Sequence, residues 1–345
     1  MSGFHRKALG GLLGCLAVMS GLAHAGEEFL WPKGAPGAMD TTNASKPSVT
    51  YFPADAGTAI GTSAVICPGG GYDHVAMDKE GYQIAKWLNT QGVSAFVLKY
   101  RVAPYHHPIE MNDAQRAMRF VRANAVRYRI DPARIGIVGF SAGGHLASTV
   151  ATHYDSGNPS APDTVDRQSC KPYFQILAYP VITMEGPFVH LGSRANLLGS
   201  NPAPETMHLL SNEKQVDART PSAFLVHCKD DPDVLLDNTM VYYDSLIKAG
   251  VPVQMKLYDH GPHGFGLANG VAGAPNLPTI ATWTTICATW MKDRGYLKPS
   301  TSIIQPAGTP AALPLPAAAG AWRGGIFDFL GRWRRAHRAD PPIPR

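Results

Sequence analysis

Residues 136–146 read GIVGFSAGGHL, an apolar run that meets a serine set between glycines and then a helix-like pattern. A strand ending near Gly139 and a helix starting near Ala142 would leave Ser141 on a very sharp turn. Side chains at 139 and 143 would crowd the adjoining strand and helix, and glycine at both positions removes them. The spacing G-x-S-x-G is what a turn needs to lift a serine oxygen above the edge of a sheet. Five residues alone are a small signal, so the rest of the chain has to supply what a reactive serine requires.

Working outward, apolar runs alternate with helical patterns from about Ser48 to Leu297. SAVIC (63–67), SAFVLKY (94–100), RIGIVGF (134–140), YFQILAYPVI (173–182), SAFLVHC (222–228) and VQMKLYD (253–259) read as strands. Helical patterns occupy EGYQIAKWLNTQG, EMNDAQRAMRFVRANAVRY with Asn112 or Asp113 as a cap, the segment from Ala142, 238–249 and 278–294. Strands alternating with helices of this length predict an α/β fold, a mostly parallel central sheet with helices on both faces. Residues 183–221 break the rhythm with glycines and prolines and are expected to form a small cap insertion over the site.

The ends differ from this body. Residues 1–25 combine Arg6 and Lys7, a short apolar run and Ala23-His24-Ala25, the parts of a signal peptide cleaved near Ala25. The run is too short and glycine-broken for the ~20 residues a membrane span needs. Export to the periplasm or medium is therefore expected, with a body over 26–297. Residues 298–320 are Pro/Ala-rich and read as an extended linker. In 321–345, Trp322, Ile326, Phe329, Leu330 and Trp333 share one helical face among six arginines, a pattern able to make weak contact with an anionic membrane. Arg6, Lys7 and the tail carry more positive charge than the chain's net +5, so the body is near neutral and nucleic acid is not its expected partner. Export permits disulfides among Cys67, Cys170, Cys228 and Cys287, but Cys67 and Cys228 end strand-like runs and read as buried thiols.

A serine hydroxyl needs a base within hydrogen-bond reach and donors aimed at the developing oxyanion. PGGGY (68–72) follows a strand, so the backbone N–H groups of Gly70 and Gly71, with that of Ala142, are the candidate donors. HCKDDPDV (227–234) places Asp231 after the next-to-last strand, with Asp230 as rival and Asp233 expected in solvent. YDHGPHGFGL (258–267) places His263 after the last strand, with His260 as runner-up. The chain order serine, aspartate, histidine, each after a strand, is one of the known orders of a catalytic triad. His145 reads as a packed helix residue, His106-His107 as a loop pair without a metal partner, and Asp113 with Arg116 as a structural ion pair. Nothing calls for a metal or a cofactor.

The combination PGGGY, AFVLKYR, DAQRAMRFVR, IDPARIGIVGFSAGGHLAS, SNEKQV, FLVHCKDD and GVPVQMKLYDHGPHGFGL resembles the carbohydrate-esterase branch of the α/β-hydrolases, which holds bacterial acetylxylan and feruloyl esterases. The likeness covers nearly all of 48–297. It implies Ser141 as nucleophile, Asp231 as acid, His263 as base and an acylated carbohydrate as substrate. Valine-proline, usual shortly after the acid in this group, is replaced here by Val234-Leu235-Leu236. A serine peptidase of the same fold is the rival enzyme, although the large extra domain of such peptidases has no counterpart in this sequence. A non-catalytic scaffold is the rival outside enzymes.

Overall fold

The structure is a computed structural model that describes residues 26–55 and 57–302. The expected signal peptide, most of the linker and the basic tail lie outside the described residues. Strands β1 (Glu27–Phe29), β2 (Ser48–Phe52), β3 (Ser63–Cys67), β4 (Ser94–Lys99), β5 (Ile135–Phe140), β6 (Gln175–Ala178), β7 (Ala223–Cys228) and β8 (Val253–Tyr258) form one sheet in the order β1-β2-β4-β3-β5-β6-β7-β8. From β4 to β8 every neighbouring pair is parallel, and β1 and β2 add an antiparallel edge. The helices are α1 (Gln83–Thr90), α2 (Ile109–Ala123), α3 (Ala125–Tyr128), α4 (Ser141–Thr152), α5 (Leu191–Leu198), α6 (Pro204–Leu209), α7 (Asp237–Lys248), α8 (Pro278–Ala281) and α9 (Trp283–Asp293).

Strands β3, β5, β6 and β7 are buried at every residue, which is why they read as unbroken apolar runs rather than alternating ones. Successive residues face opposite layers. Val65, Ile137 and Leu225 pack with Met118, Leu146 and Tyr242 of α2, α4 and α7. Ile66, Val138 and Phe224 pack with Ile84, Leu88 and Trp290 of α1 and α9. The sheet is thus covered on both faces, and it holds the ends of β3, β5 and β7 rigidly along one edge.

Two local expectations are corrected. Helix α2 begins at Ile109, after Pro108, with no side-chain cap, so neither Asn112 nor Asp113 caps it. The apolar face of 114, 117, 118 and 121 recruits the preceding turn into the helix, and Asn112 N–H bonds the Pro108 carbonyl. Asp113 and Arg116 do not pair. Asp113 is fully buried and takes three hydrogen bonds from Arg101, two from its guanidinium and one from its backbone N–H, at 2.6–3.0 Å. Arg116 reaches outward to Asp163 and Asp166. An ionised carboxylate is costly to bury unless it is paired, and the fork of Arg101 does this better than a helix neighbour can. All four described cysteines are buried free thiols.

The β5–α4 junction is as tight as the glycines imply. A Cβ on Gly143 would stand 2.1 Å from the Cys67 carbonyl oxygen and 2.3 Å from that of Pro68, both backbone atoms at the end of β3. No rotamer change can relieve such a clash. Gly143→Ala is therefore expected to cost at least about 1–3 kcal/mol, as overpacking does. Thermal denaturation reads this as a clear drop in Tm, and an unchanged Tm would show that β3 does not press on α4.

Candidate active site

Ser141 begins α4 directly after β5 and holds φ at +53°, a left-handed value that a serine adopts only when its surroundings enforce it. The turn aims its hydroxyl away from the sheet. His263 Nε2 lies 2.8 Å from Ser141 Oγ, and His263 Nδ1 lies 2.8 Å from Asp231 Oδ2. An ionised carboxylate only accepts, so the proton sits on Nδ1 and Nε2 presents a lone pair to the serine O–H. The structure brings Ser141, His263 and Asp231 into one chain of contacts.

Asp231 is itself held from several sides. Its Oδ1 accepts the backbone N–H groups of Asp233 and Val234, each at 3.0 Å. Its Oδ2 also lies 3.3 Å from Nε2 of His227, a buried β7 side chain that donates to the Val234 carbonyl and accepts from the Thr239 hydroxyl. Burial opposes charge on Asp231, yet the hydrogen bonds from His227, His263 and Val234 outweigh it and hold the carboxyl well below its ordinary value. The rival residues pair elsewhere: His260 Nδ1 meets Asp230 Oδ2 at 2.9 Å with the histidine side chain 87% exposed. His145 is buried between the Tyr72 hydroxyl and the Leu210 carbonyl. Among the described residues no group of His, Cys, Asp and Glu is arranged to hold a metal ion.

Gly70 and Gly71, at φ +126° and +62°, turn the chain after β3 so that the Asp73 and His74 N–H groups bond the Gly70 carbonyl. A Cβ on Gly70 would stand 2.2 Å from the His74 carbonyl oxygen, so only glycine fits there. The N–H of Gly69 is taken by Glu80 Oε2 at 2.8 Å, whereas those of Gly70 and Gly71 meet no protein acceptor among the described residues. Both glycines line a cavity of about 410 Å³ together with Ser141 and His263. The Ala142 N–H belongs to the first turn of α4, where helical amides lack intrahelical partners.

Glu80 was not read from the sequence as part of the site. It sits in a π-helical turn, Asp78–Tyr82, ahead of α1. Its second oxygen accepts the Tyr179 hydroxyl at 2.9 Å, and that hydroxyl accepts the Gly266 N–H at 3.0 Å. The Tyr179 ring packs edge-on against His263, with centroids 4.9 Å apart. Glu80 thereby ties the glycine turn to the histidine loop. No sequence signal marks it, since a carboxylate at the start of a helical pattern is ordinary.

A family model described as BD-FAE matches residues 50–246. The chain is 36% identical over 211 residues to endo-1,4-beta-xylanase B of Butyrivibrio fibrisolvens, covering 59% of this chain and 32% of that protein. It is 35% identical over 210 residues to an acetylxylan esterase of Xylanibacter ruminicola, covering 60% and 41% respectively. The chain thus spans less than half the length of these two curated relatives. A solved structure of an acetyl ester-xyloside bifunctional hydrolase from Caldicellulosiruptor lactoaceticus superposes with a TM-score of 0.72 at 40% identity, over 79% of this chain and 97% of that one.

The depressed carboxyl of Asp231 has a consequence for stability. The folded state binds its proton less readily than the unfolded chain, so the contribution is whole above the ordinary carboxylate value of 3.8 and shrinks as pH falls below it. The Tm gap between wild type and Asp231→Asn should therefore be wide at pH 7 and narrow on acidification below about 4. A gap that stays constant down to pH 3 would show that Asp231 is not held ionised by its histidines.

Proposed function

Because the chain belongs to the BD-FAE family and has the α/β-hydrolase fold, we propose that it is a serine esterase that removes acetyl groups from plant polysaccharide fragments such as acetylated xylan. The observation that carries the reading is the run of contacts from Asp231 through His263 to Ser141, ending beside N–H groups that no protein atom among the described residues uses. Ser141 Oγ attacks the ester carbonyl while His263 Nε2 takes its proton. The carbonyl oxygen, now negative, is held by the amides of Gly70, Gly71 and Ala142. As the tetrahedral intermediate collapses, the alcohol leaves with the proton from His263, and an acyl-Ser141 ester remains. Water, deprotonated by the same Nε2, then releases the carboxylic acid and restores the serine.

The acetyl preference is supported by the cavity's own surface. Its lining is glycine, alanine, serine, histidine and charged side chains, with no phenylalanine, tyrosine or tryptophan. Among the described residues a feruloyl ring would find only imidazoles to stack on there, whereas a methyl group needs no such face. The relatives named as an acetylxylan esterase and an acetyl ester hydrolase point the same way.

Kinetics on acetylated xylan, p-nitrophenyl acetate, methyl ferulate and aminoacyl nitroanilides test this. Both acetyl esters should turn over, with kcat/KM on methyl ferulate lower by at least about tenfold, the ~1.4 kcal/mol that one poorly matched contact costs. Faster turnover of methyl ferulate would make the enzyme a feruloyl esterase, and cleavage of the nitroanilides would make it a peptidase.

A further inference from the structure

Of the polar side chains in the cavity that have no part in the acyl chemistry, His190 and Asp233 stand at the start of α5 and on the acid loop. His190 precedes α5 and caps it: its Nδ1 accepts the Ser193 N–H at 3.1 Å and lies 2.8 Å from the Ser193 hydroxyl. A ring nitrogen that accepts a backbone N–H carries no proton, so in the neutral imidazole the hydrogen is on Nε2. Burial, then the neighbouring His263, hold His190 below the ordinary histidine range, which keeps it neutral around pH 7. Nε2 has no protein partner among the described residues and is not cut off from solvent. His190 therefore presents a fixed neutral donor to the cavity that contains Ser141.

Asp233 enters the same cavity from the loop that carries the acid. Its backbone is pinned by the N–H bond to Asp231 Oδ1, two residues back. Its carboxylate is exposed and makes no hydrogen bond or ion pair with the described protein. The loop thus places an acceptor with open lone pairs, and α5 a donor with an open hydrogen, beside one nucleophile.

Resting on the esterase reading, we propose that His190 and Asp233 form the subsite for the sugar that carries the acyl group, binding two neighbouring hydroxyls. Asp233 accepts the O–H of one hydroxyl, and His190 Nε2–H donates to the oxygen of the next. A vicinal diol satisfies both groups at once. An alkyl alcohol would satisfy neither, and because both groups are open to water the discrimination is the net worth of two hydrogen bonds, one of them to a charged carboxylate, rather than a burial penalty. His190 and Asp233 are specificity residues in this scheme, while Ser141, His263 and Asp231 act on any acetyl ester that fits.

The test compares kcat/KM on an acetylated xylo-oligosaccharide with that on p-nitrophenyl acetate in wild type, His190→Ala, His190→Asn and Asp233→Ala. His190→Ala and Asp233→Ala should each lower the sugar-ester to nitrophenyl-ester ratio by about tenfold, chiefly by raising KM for the sugar ester. Asparagine still caps a helix but is too short to replace Nε2–H, so His190→Asn should lose the ratio as alanine does. A ratio restored by His190→Asn would reduce His190 to a cap, and a ratio unchanged in both alanine variants would overturn the subsite. Hydrolysis of neither ester by the wild type would instead overturn the esterase reading, a result distinct from either.

Discussion

The backbone of Ser141 is pinned in a left-handed conformation between a strand that ends at Phe140 and a helix that has already begun. Such a φ at a serine costs on the order of 1–3 kcal/mol, and it persists only because the surroundings allow nothing else. Gly139 and Gly143 let α4 press onto β5 and onto the end of β3, and buried apolar contacts along both faces of the sheet offset the strain. Every other group in the site is placed relative to this turn. The glycine loop follows β3 next door, Asp231 follows β7, and His263 follows β8.

Around that turn the buried carboxylates of Asp231 and Glu80 are held by several partners each. Asp231 accepts from two histidines and two backbone amides, and Glu80 accepts from Tyr179 and Gly69. Either carboxylate left unpaired would be strongly destabilising, so each locks its partners in one geometry. The pairing also separates two similar Asp–His pairs. Asp230 with His260 stays in solvent, where it is worth little, while Asp231 with His263 is sealed against the serine.

Much of this was legible in the sequence because it rests on local chemistry. Continuous apolar runs mark strands buried on both faces, and glycine at 139 and 143 marks a place where backbone approaches backbone. Asp231 stands out from Asp230 by the proline behind it, and His263 from His260 by the glycines that free its loop to reach inward. What escaped depends on contacts far apart in the chain. The edge strand β1 has three residues and no core of its own, so only its pairing with β2 defines it. Asp113 looked like a helix partner for Arg116, yet Arg101, from the loop after β4, captures it. Glu80 and His190 belong to no motif, and tertiary structure alone sets one under the glycine turn and the other at the cavity wall.

The central claim is that Ser141 becomes covalently acylated, and peptide mapping by mass spectrometry after rapid acid quench of the enzyme turning over p-nitrophenyl acetate addresses it directly. The account predicts one acetyl group on the peptide that contains Ser141, and loss of both the adduct and turnover in Ser141→Ala. Turnover that continues in Ser141→Ala, with no acetyl group at that position in the wild type, would contradict it.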